Sequence, residues 1–170
     1  MARRPRAVIG GTFEAFHRGH RRFLRAALEG SSRLVIGITS DEYARSSKGH
    51  PVESYRVRAG NVRRFLRRMG CADRVEIAKI DDPYGPSIED GRLEVIFVTP
   101  ENASRGEEIN GLRGERGLPP LKIVGVKFEL ADDGRPISAT RIREGAIDSE
   151  GRALRKAGSK SRASRRSSER

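Results

Sequence analysis

Residues 8–20 read Val8-Ile-Gly-Gly-Thr-Phe-Glu-Ala-Phe-His-Arg-Gly-His20: a short apolar run stops at two glycines, and two histidines three residues apart open the segment that follows. A strand passing through a glycine turn into a helix start is the βα junction of an open α/β sheet. At such a junction ligands gather beyond the carboxyl ends of the strands, and the helix N-terminus offers unpaired N–H groups to a phosphate. Gly10 and Gly11 let backbone approach a ligand closely. Thr12 adds a hydroxyl, and the i, i+3 spacing puts His17 and His20 on one side of the helix. Fixed donors around a phosphate stabilise the charge that moves in phosphoryl or nucleotidyl transfer without a covalent protein intermediate. A histidine pair also suits zinc, but the one other histidine is His50 and no HExxH pattern occurs, so a catalytic metal site on these residues is not expected.

Working outward from this junction, short β-branched runs alternate with amphipathic stretches. Strands are expected at Ala7–Ile9, Leu34–Thr39, Val75–Ile80, Leu93–Thr99 and Leu121–Phe128. Between the first two, Phe23, Leu24, Ala27 and Leu28 share a helical face, and Gly30 follows where a left-handed C-cap would sit. Between the second and third, Val62, Phe65, Leu66 and Met69 repeat at helical spacing and Gly70 marks the stop. Tyr55 and Phe65 read as packing residues of that helix. KIDDPYGPSIEDGRLE reads as a loop in which Asp81 and Asp82 shape a turn. In the connection after the fourth strand, Glu107, Ile109, Leu112 and Arg113 suit a helix that Gly106, Gly111, Gly114 and Gly117 weaken by roughly 1 kcal/mol each. The pattern predicts an α/β fold: a Rossmann-like, parallel five-stranded sheet flanked by helices.

The 170 residues suffice for one ordinary domain, and at 35% hydrophobic the apolar residues come in blocks rather than diluted, which argues against global disorder. No apolar run approaches the ~20 residues of a membrane span. The start MARRPRAVIGG has no signal-like apolar stretch, and a single cysteine, Cys71, forms no internal disulfide; a cytoplasmic protein without membrane contact is expected. Of the net charge of +12, residues 151–170 carry +7. The division expected is therefore a domain over residues 1–151 and a basic, Ser/Arg-rich tail over 152–170 that cannot bury enough surface to fold. With aromatics at 5% and no tryptophan, nucleic acid is expected to make no more than weak charge contacts with the tail.

GGTFEAFHRGH resembles the GGTFDxxHxGH signature of nucleotidyltransferases that join a nucleoside monophosphate to a phosphorylated acceptor. Ile137-Ser-Ala-Thr-Arg-Ile-Arg143 is similar to the ISSTxIR motif of the same superfamily. LVIGITSDEYARSSKGHPVESYRVR, IDDPYGPSIED, VTPENASRGEEINGLRGERGLPPLKIV and ADDGRPISATRIREGAIDSEG extend the likeness to the archaeal-type phosphopantetheine adenylyltransferases over residues 7–152. The resemblance implies the HxGH nucleotidyltransferase fold and transfer of AMP from ATP to 4′-phosphopantetheine, giving 3′-dephospho-coenzyme A and pyrophosphate, with Mg²⁺ accompanying ATP.

By motif position it implies catalytic His20 and His17, with Lys48, in the loop after the second strand, bridging the phosphates of both substrates. Gly10, Gly11, Thr12, Phe13, His17, His20, Ser138, Ala139, Thr140, Arg141 and Arg143 would contact ATP, and Thr12 and Lys48 the acceptor. No protein-held metal and no general base is implied, the acceptor phosphate being ionised near pH 7. Tyr84 is placed to line the pantetheine arm. Glu101 and Asn102 follow the fourth strand as minor substrate contacts or as a helix cap, and Cys71 as a small buried side chain. Glu14 stands where the family has aspartate, and Ala139 where it has a second serine. Two alternatives remain at this point: the same transfer to nicotinamide mononucleotide or flavin mononucleotide, and a basic RNA-binding protein.

Overall fold

The computed structural model describes residues 2–155. The first strand, β1 (Arg6–Gly11), is followed by α1 (Arg18–Glu29), β2 (Arg33–Thr39), α2 (Asp41–Lys48), α3 (Tyr55–Arg68), β3 (Val75–Ile80), β4 (Val95–Val98), α4 (Ala103–Glu115), β5 (Lys122–Gly125) and the short α5 (Ala139–Arg143). The strands form one parallel sheet in the order β3-β2-β1-β4-β5. Chain order reverses between β1 and β4, the switch point at which such sheets open a crevice.

Alternation along each strand sends side chains to two cores. Ala7 and Ile9, Leu34, Ile36 and Ile38, and Val95 and Phe97 pack with Leu24, Ala27, Leu28, Val62 and Leu66 of α1 and α3. Val8, Val35, Ile96 and Val98 face the other way, onto Ile109 of α4 together with Ile88, Leu93 and Leu121. Both faces of the sheet are thus covered, as parallel sheets require. Among the described residues no helix is long and apolar enough to cross a membrane.

The expected strands are all present, although β4 and β5 are shorter than the apolar runs that announced them. Two glycine readings separate. Gly70 is left-handed, with φ +65°. Gly30 is not: its φ is −85°, and it is required for space, because a Cβ there would lie 2.5 Å from Phe97 Cζ. Met69, which shares the helical spacing of Val62, Phe65 and Leu66, is 42% exposed beyond the end of α3. The glycine-rich connection after β4 does form a helix, α4, whose Gly106 lies close against Ile123.

The segment after β5 wraps back to α1. Arg18 N–H donates to the Ser149 carbonyl, and Asp132 N–H to that of Gly151. Pairing continues past residue 151: Ala153 bridges Ile147, and Leu154 N–H donates to the Ala146 carbonyl. Of the expected tail, residues 156–170 lie outside the described residues.

Candidate active site

At the switch point the end of β1 turns through Gly10 to Phe16 into α1. The turn is strained: Phe13 has φ +55° and Ala15 φ +46°, a conformation that costs a residue with a Cβ roughly 1–2 kcal/mol. Tertiary contacts hold it. Phe13 is buried, and Ala15 N–H donates to Glu53 Oε2 at 2.8 Å. Arg58 of α3, with no exposed surface, donates to the Thr12 carbonyl at 2.9 Å, Thr39 Oγ1 at 3.1 Å and the Glu53 carbonyl at 2.7 Å. It also reaches Asp41 Oδ1, at the start of α2, at 3.4 Å. One buried cation therefore ties the turn to the end of β2 and to the helix that carries Lys48.

His17 is the N-cap of α1 and His20 its third residue, and the two cap each other. His20 N–H donates to His17 Nδ1 at 3.3 Å, and His17 N–H to His20 Nδ1 at 3.2 Å. Because both Nδ1 atoms accept, each neutral ring carries its proton on Nε2. The capping box therefore selects a tautomer with an N–H donor on the ring edge away from the backbone. The rings stack with centroids 3.7 Å apart, and Phe16 stacks with His20 at 5.6 Å. Burial, then the nearby Arg21, lowers the His17 pKa to about 4. Burial, then His17, Arg21 and Lys48, lowers that of His20 well below its ordinary value. At neutral pH the pair is uncharged and donates from both Nε2 atoms. Gly19 between them is a packing requirement: a Cβ there would sit 2.9 Å from the His17 ring.

Two cavities meet at this turn. The larger, about 410 Å³, is walled by Gly10, Gly11, Phe13, His17, His20 and Lys48 together with Glu101, Lys127 and Ile137 to Thr140. The smaller, about 140 Å³, is lined largely by apolar side chains together with Tyr43, Tyr84 and Arg105. Gly10, Gly11, Phe23 and Asn102 border both. Ser138 caps α5, its Oγ accepting from Arg141 N–H at 3.3 Å, which leaves the hydroxyl proton free to donate.

Three of the anticipated ATP contacts stand outside the cavity wall. Half-buried Thr12 is held by its carbonyl. Arg141 pairs with Asp133 and donates to the Pro136 carbonyl at 2.9 Å, fastening the loop before α5. Arg143 donates to Glu14 Oε1 at 2.9 Å. Lys48 is the last residue of α2, not a loop residue. That helix was announced by Ser40, whose Oγ accepts from Tyr43 N–H at 3.2 Å, by Asp41 and Glu42 in its first turn, and by left-handed Gly49.

Asp82 shapes its turn as expected, accepting from the N–H groups of Tyr84 and Gly85 at 2.8 Å each. Tyr84 lines the smaller cavity and donates from its hydroxyl to Glu108. Asn102 stands at the N-cap of α4 without a side-chain cap bond and faces both cavities instead. Cys71 is buried.

The two largest fully buried side chains are Arg58, to which the sequence assigns no role, and Arg113, which it places in a helix without marking it as an anchor. Arg113 of α4 donates to the carbonyls of Ser87, Asp90 and Pro119 and so anchors the loop that carries Tyr84. An arginine among apolar helix positions, as in Ile109-x-x-Leu112-Arg113, was the available signal for it.

The chain matches the cytidylyltransferase-like family over residues 8–145. It is 45% identical over 148 residues to the phosphopantetheine adenylyltransferase of Methanopyrus kandleri, spanning 87% of this chain and 94% of that one. To the enzyme of the same name from Methanosarcina mazei it is 40% identical over 156 residues, spanning 90% and 99%. A crystal structure of a protein with unknown function from Archaeoglobus fulgidus superimposes with a TM-score of 0.64 at 34% identity, covering 71% of this chain and 88% of that one. The chain belongs to the cytidylyltransferase-like family and, within it, to the archaeal phosphopantetheine adenylyltransferases.

Proposed function

We propose that this protein transfers AMP from ATP to 4′-phosphopantetheine, giving 3′-dephospho-coenzyme A and pyrophosphate, in the cytoplasm. The observation that carries the reading is the pair of cavities joined at Gly10 and Gly11. The larger suits a nucleotide, and the narrower, largely apolar one suits the pantetheine arm, so the acceptor phosphate arrives beside the histidine pair. The names of the near full-length relatives support the choice of acceptor.

An oxygen of the acceptor phosphate forms a bond to the α-phosphorus as the bond to the β-phosphate bridge breaks, and pyrophosphate leaves with the electron pair. Two phosphate charges 4 Å apart repel by roughly 4 kcal/mol at an effective dielectric of 20. Lys48 offsets this repulsion. His20, assisted by His17, donates from Nε2 to the oxygens on which charge accumulates. Ser138, Thr140 and the backbone at Ala139 receive the β- and γ-phosphates. The acceptor is already ionised, so no residue need remove a proton. Magnesium would enter with ATP as part of the substrate and would supply positive charge against the phosphates.

Pyrophosphate release from MgATP, measured with 4′-phosphopantetheine, nicotinamide mononucleotide and flavin mononucleotide in turn, tests the reading. Turnover with phosphopantetheine alone, abolished in His20→Ala, is the result expected. Turnover with another acceptor alone overturns the substrate assignment, and silence with all three overturns the reaction.

A further inference from the structure

Helix α3 buries Arg58, Ala59, Val62, Phe65 and Leu66 and turns Arg56, Arg63, Arg64, Arg67 and Arg68 outward, all five exposed. From Tyr55 to Gly70 the chain holds six arginines and no acidic residue. Among the described residues none of the five outward arginines meets a carboxylate; Arg64 donates to Asn61 Oδ1 at 3.1 Å. Several arginines elsewhere on the surface do: Arg3 meets Glu94, Arg22 Glu129, Arg92 Asp90, Arg105 Glu108 and Arg152 Asp148. Helix stability explains only part of this charge. Arg67 and Arg68 in the last turn suit the helix dipole. Arg56 in the first turn opposes it, and Arg63 with Arg67 and Arg64 with Arg68 are like-charge pairs at i, i+4, which weaken a helix. Gly60 stands at the centre of the outward face, between the rows that carry Arg56, Arg63, Arg64 and Arg67. A Cβ there would meet nothing within 4 Å, so no neighbour in the fold requires a glycine that weakens the helix relative to alanine.

We propose that the outward face of α3 binds duplex RNA through its phosphate backbone, with Gly60 letting a strand approach the helix closely. Guanidinium forks match phosphate oxygens, and Arg56 to Arg68 span about 18 Å along the helix, enough for several phosphates. Half embedded in the fold, α3 forms a low ridge, which suits the wide, shallow minor groove of A-form RNA better than the deeper grooves of B-DNA. Arg63 and Arg67 also line a cavity of about 290 Å³ with Leu66, Ala72, Val75 and Ile77, which gives a sugar an apolar seat beside two cations. The outward face has no aromatic side chain, so an unpaired strand would find nothing to stack on. Other occupants fit less well. A second copy and the residues after 151 bring more positive charge. A lipid surface needs a continuous apolar face, whereas exposed Val57 and Met69 stand at opposite ends of the helix. A protein partner needs an apolar centre, where this face has Gly60.

Binding of a labelled RNA duplex of about 20 base pairs is measured by fluorescence anisotropy over a salt series for the full chain, Arg63→Gln/Arg64→Gln and Gly60→Ala, with urea unfolding and pyrophosphate release alongside. The double variant is expected to lower the slope of log affinity against log salt by about 1.8, and the affinity near 0.1 M salt about fiftyfold. Gly60→Ala is expected to raise the unfolding midpoint and yet weaken RNA binding severalfold. Pyrophosphate release is expected to stay unchanged in both variants, since none of the three residues lines the two catalytic cavities. A slope unchanged in the double variant would leave any RNA binding to the tail and overturn the proposal, as would Gly60→Ala binding as tightly as the parent. A DNA duplex of the same sequence that binds as tightly as the RNA, or equal competition from poly-L-glutamate or phosphatidylglycerol vesicles at matched charge, would assign the face to another occupant and overturn it too.

Discussion

Replacing Arg58 by methionine tests whether the catalytic turn is held from beneath. The substitution keeps the buried aliphatic volume and removes every donor. It strands the Thr12 and Glu53 carbonyls and the Thr39 hydroxyl, which accept at 2.9, 2.7 and 3.1 Å in the native protein. An orphaned, partly buried acceptor costs about 1–3 kcal/mol. The Asp41 contact is long, and that carboxylate is 51% exposed, so it adds little. Against the three losses stands relief from keeping a guanidinium out of water, which is the reason removing a buried charge outright costs less than the sum of its bonds. The net expected is a loss of about 3 kcal/mol. The strained Phe13 and Ala15 backbone also loses its main restraint, so kcat should fall at least tenfold in the fraction that remains folded. Urea unfolding with an unchanged m-value gives the first quantity, and pyrophosphate release under native conditions the second. A variant less than about 1 kcal/mol below the parent with full kcat would refute the reasoning, because Arg58 would then be filling space rather than holding the turn.

The His17 pKa of about 4, against an ordinary 6.5, makes stability depend on pH. Below 6.5 the unfolded chain takes a proton that the native chain refuses, so stability is complete above that pH and declines as pH falls toward 4, by up to about 3 kcal/mol. Unfolding midpoints between pH 7 and 4.5, with an NMR titration of His17, check this, and a titration midpoint near the ordinary value would count against it. Gly19→Ala should lower kcat at least tenfold with a small stability change, since its Cβ meets the His17 ring at 2.9 Å; steady-state kinetics and thermal melting separate the effects. Gly30→Ala should do the reverse, costing about 1–3 kcal/mol by overpacking against buried Phe97 while leaving kcat intact, as urea unfolding and kinetics would record.

The sheet was legible because its strands are buried on both faces and so appear as unbroken β-branched runs between helical periods. The glycine turn and histidine pair were legible because their chemistry needs particular residue types at one spacing. What escaped was decided by tertiary geometry. Arg58 and Arg113 look like two more charges in an arginine-rich chain, and their burial depends on carbonyls that converge from distant loops. Gly30 resembled a left-handed cap, but the reason for it is a phenylalanine 67 positions away on β4. Arg141 and Arg143 share a motif, yet one closes a loop through Asp133 and the other meets Glu14, a division that depends on what the motif folds against.

The histidine pair shows why an enzyme would build its site at a helix cap. A charged imidazole would bind a phosphate more strongly, but it would bind substrate, product and inorganic anions alike, which adds affinity without adding rate. Here burial keeps both rings neutral, and the reciprocal cap fixes their Nε2–H donors in place. A neutral donor gains most when charge on the oxygen it faces increases, which happens as the new bond forms at the α-phosphorus. The persistent positive charge is left to Lys48, on the cavity wall at the end of α2. Attraction and transition-state stabilisation are thus assigned to different elements, and the buried Arg58, bonded to the turn at Thr12 and to Thr39, the residue before the cap of α2, keeps the two in register.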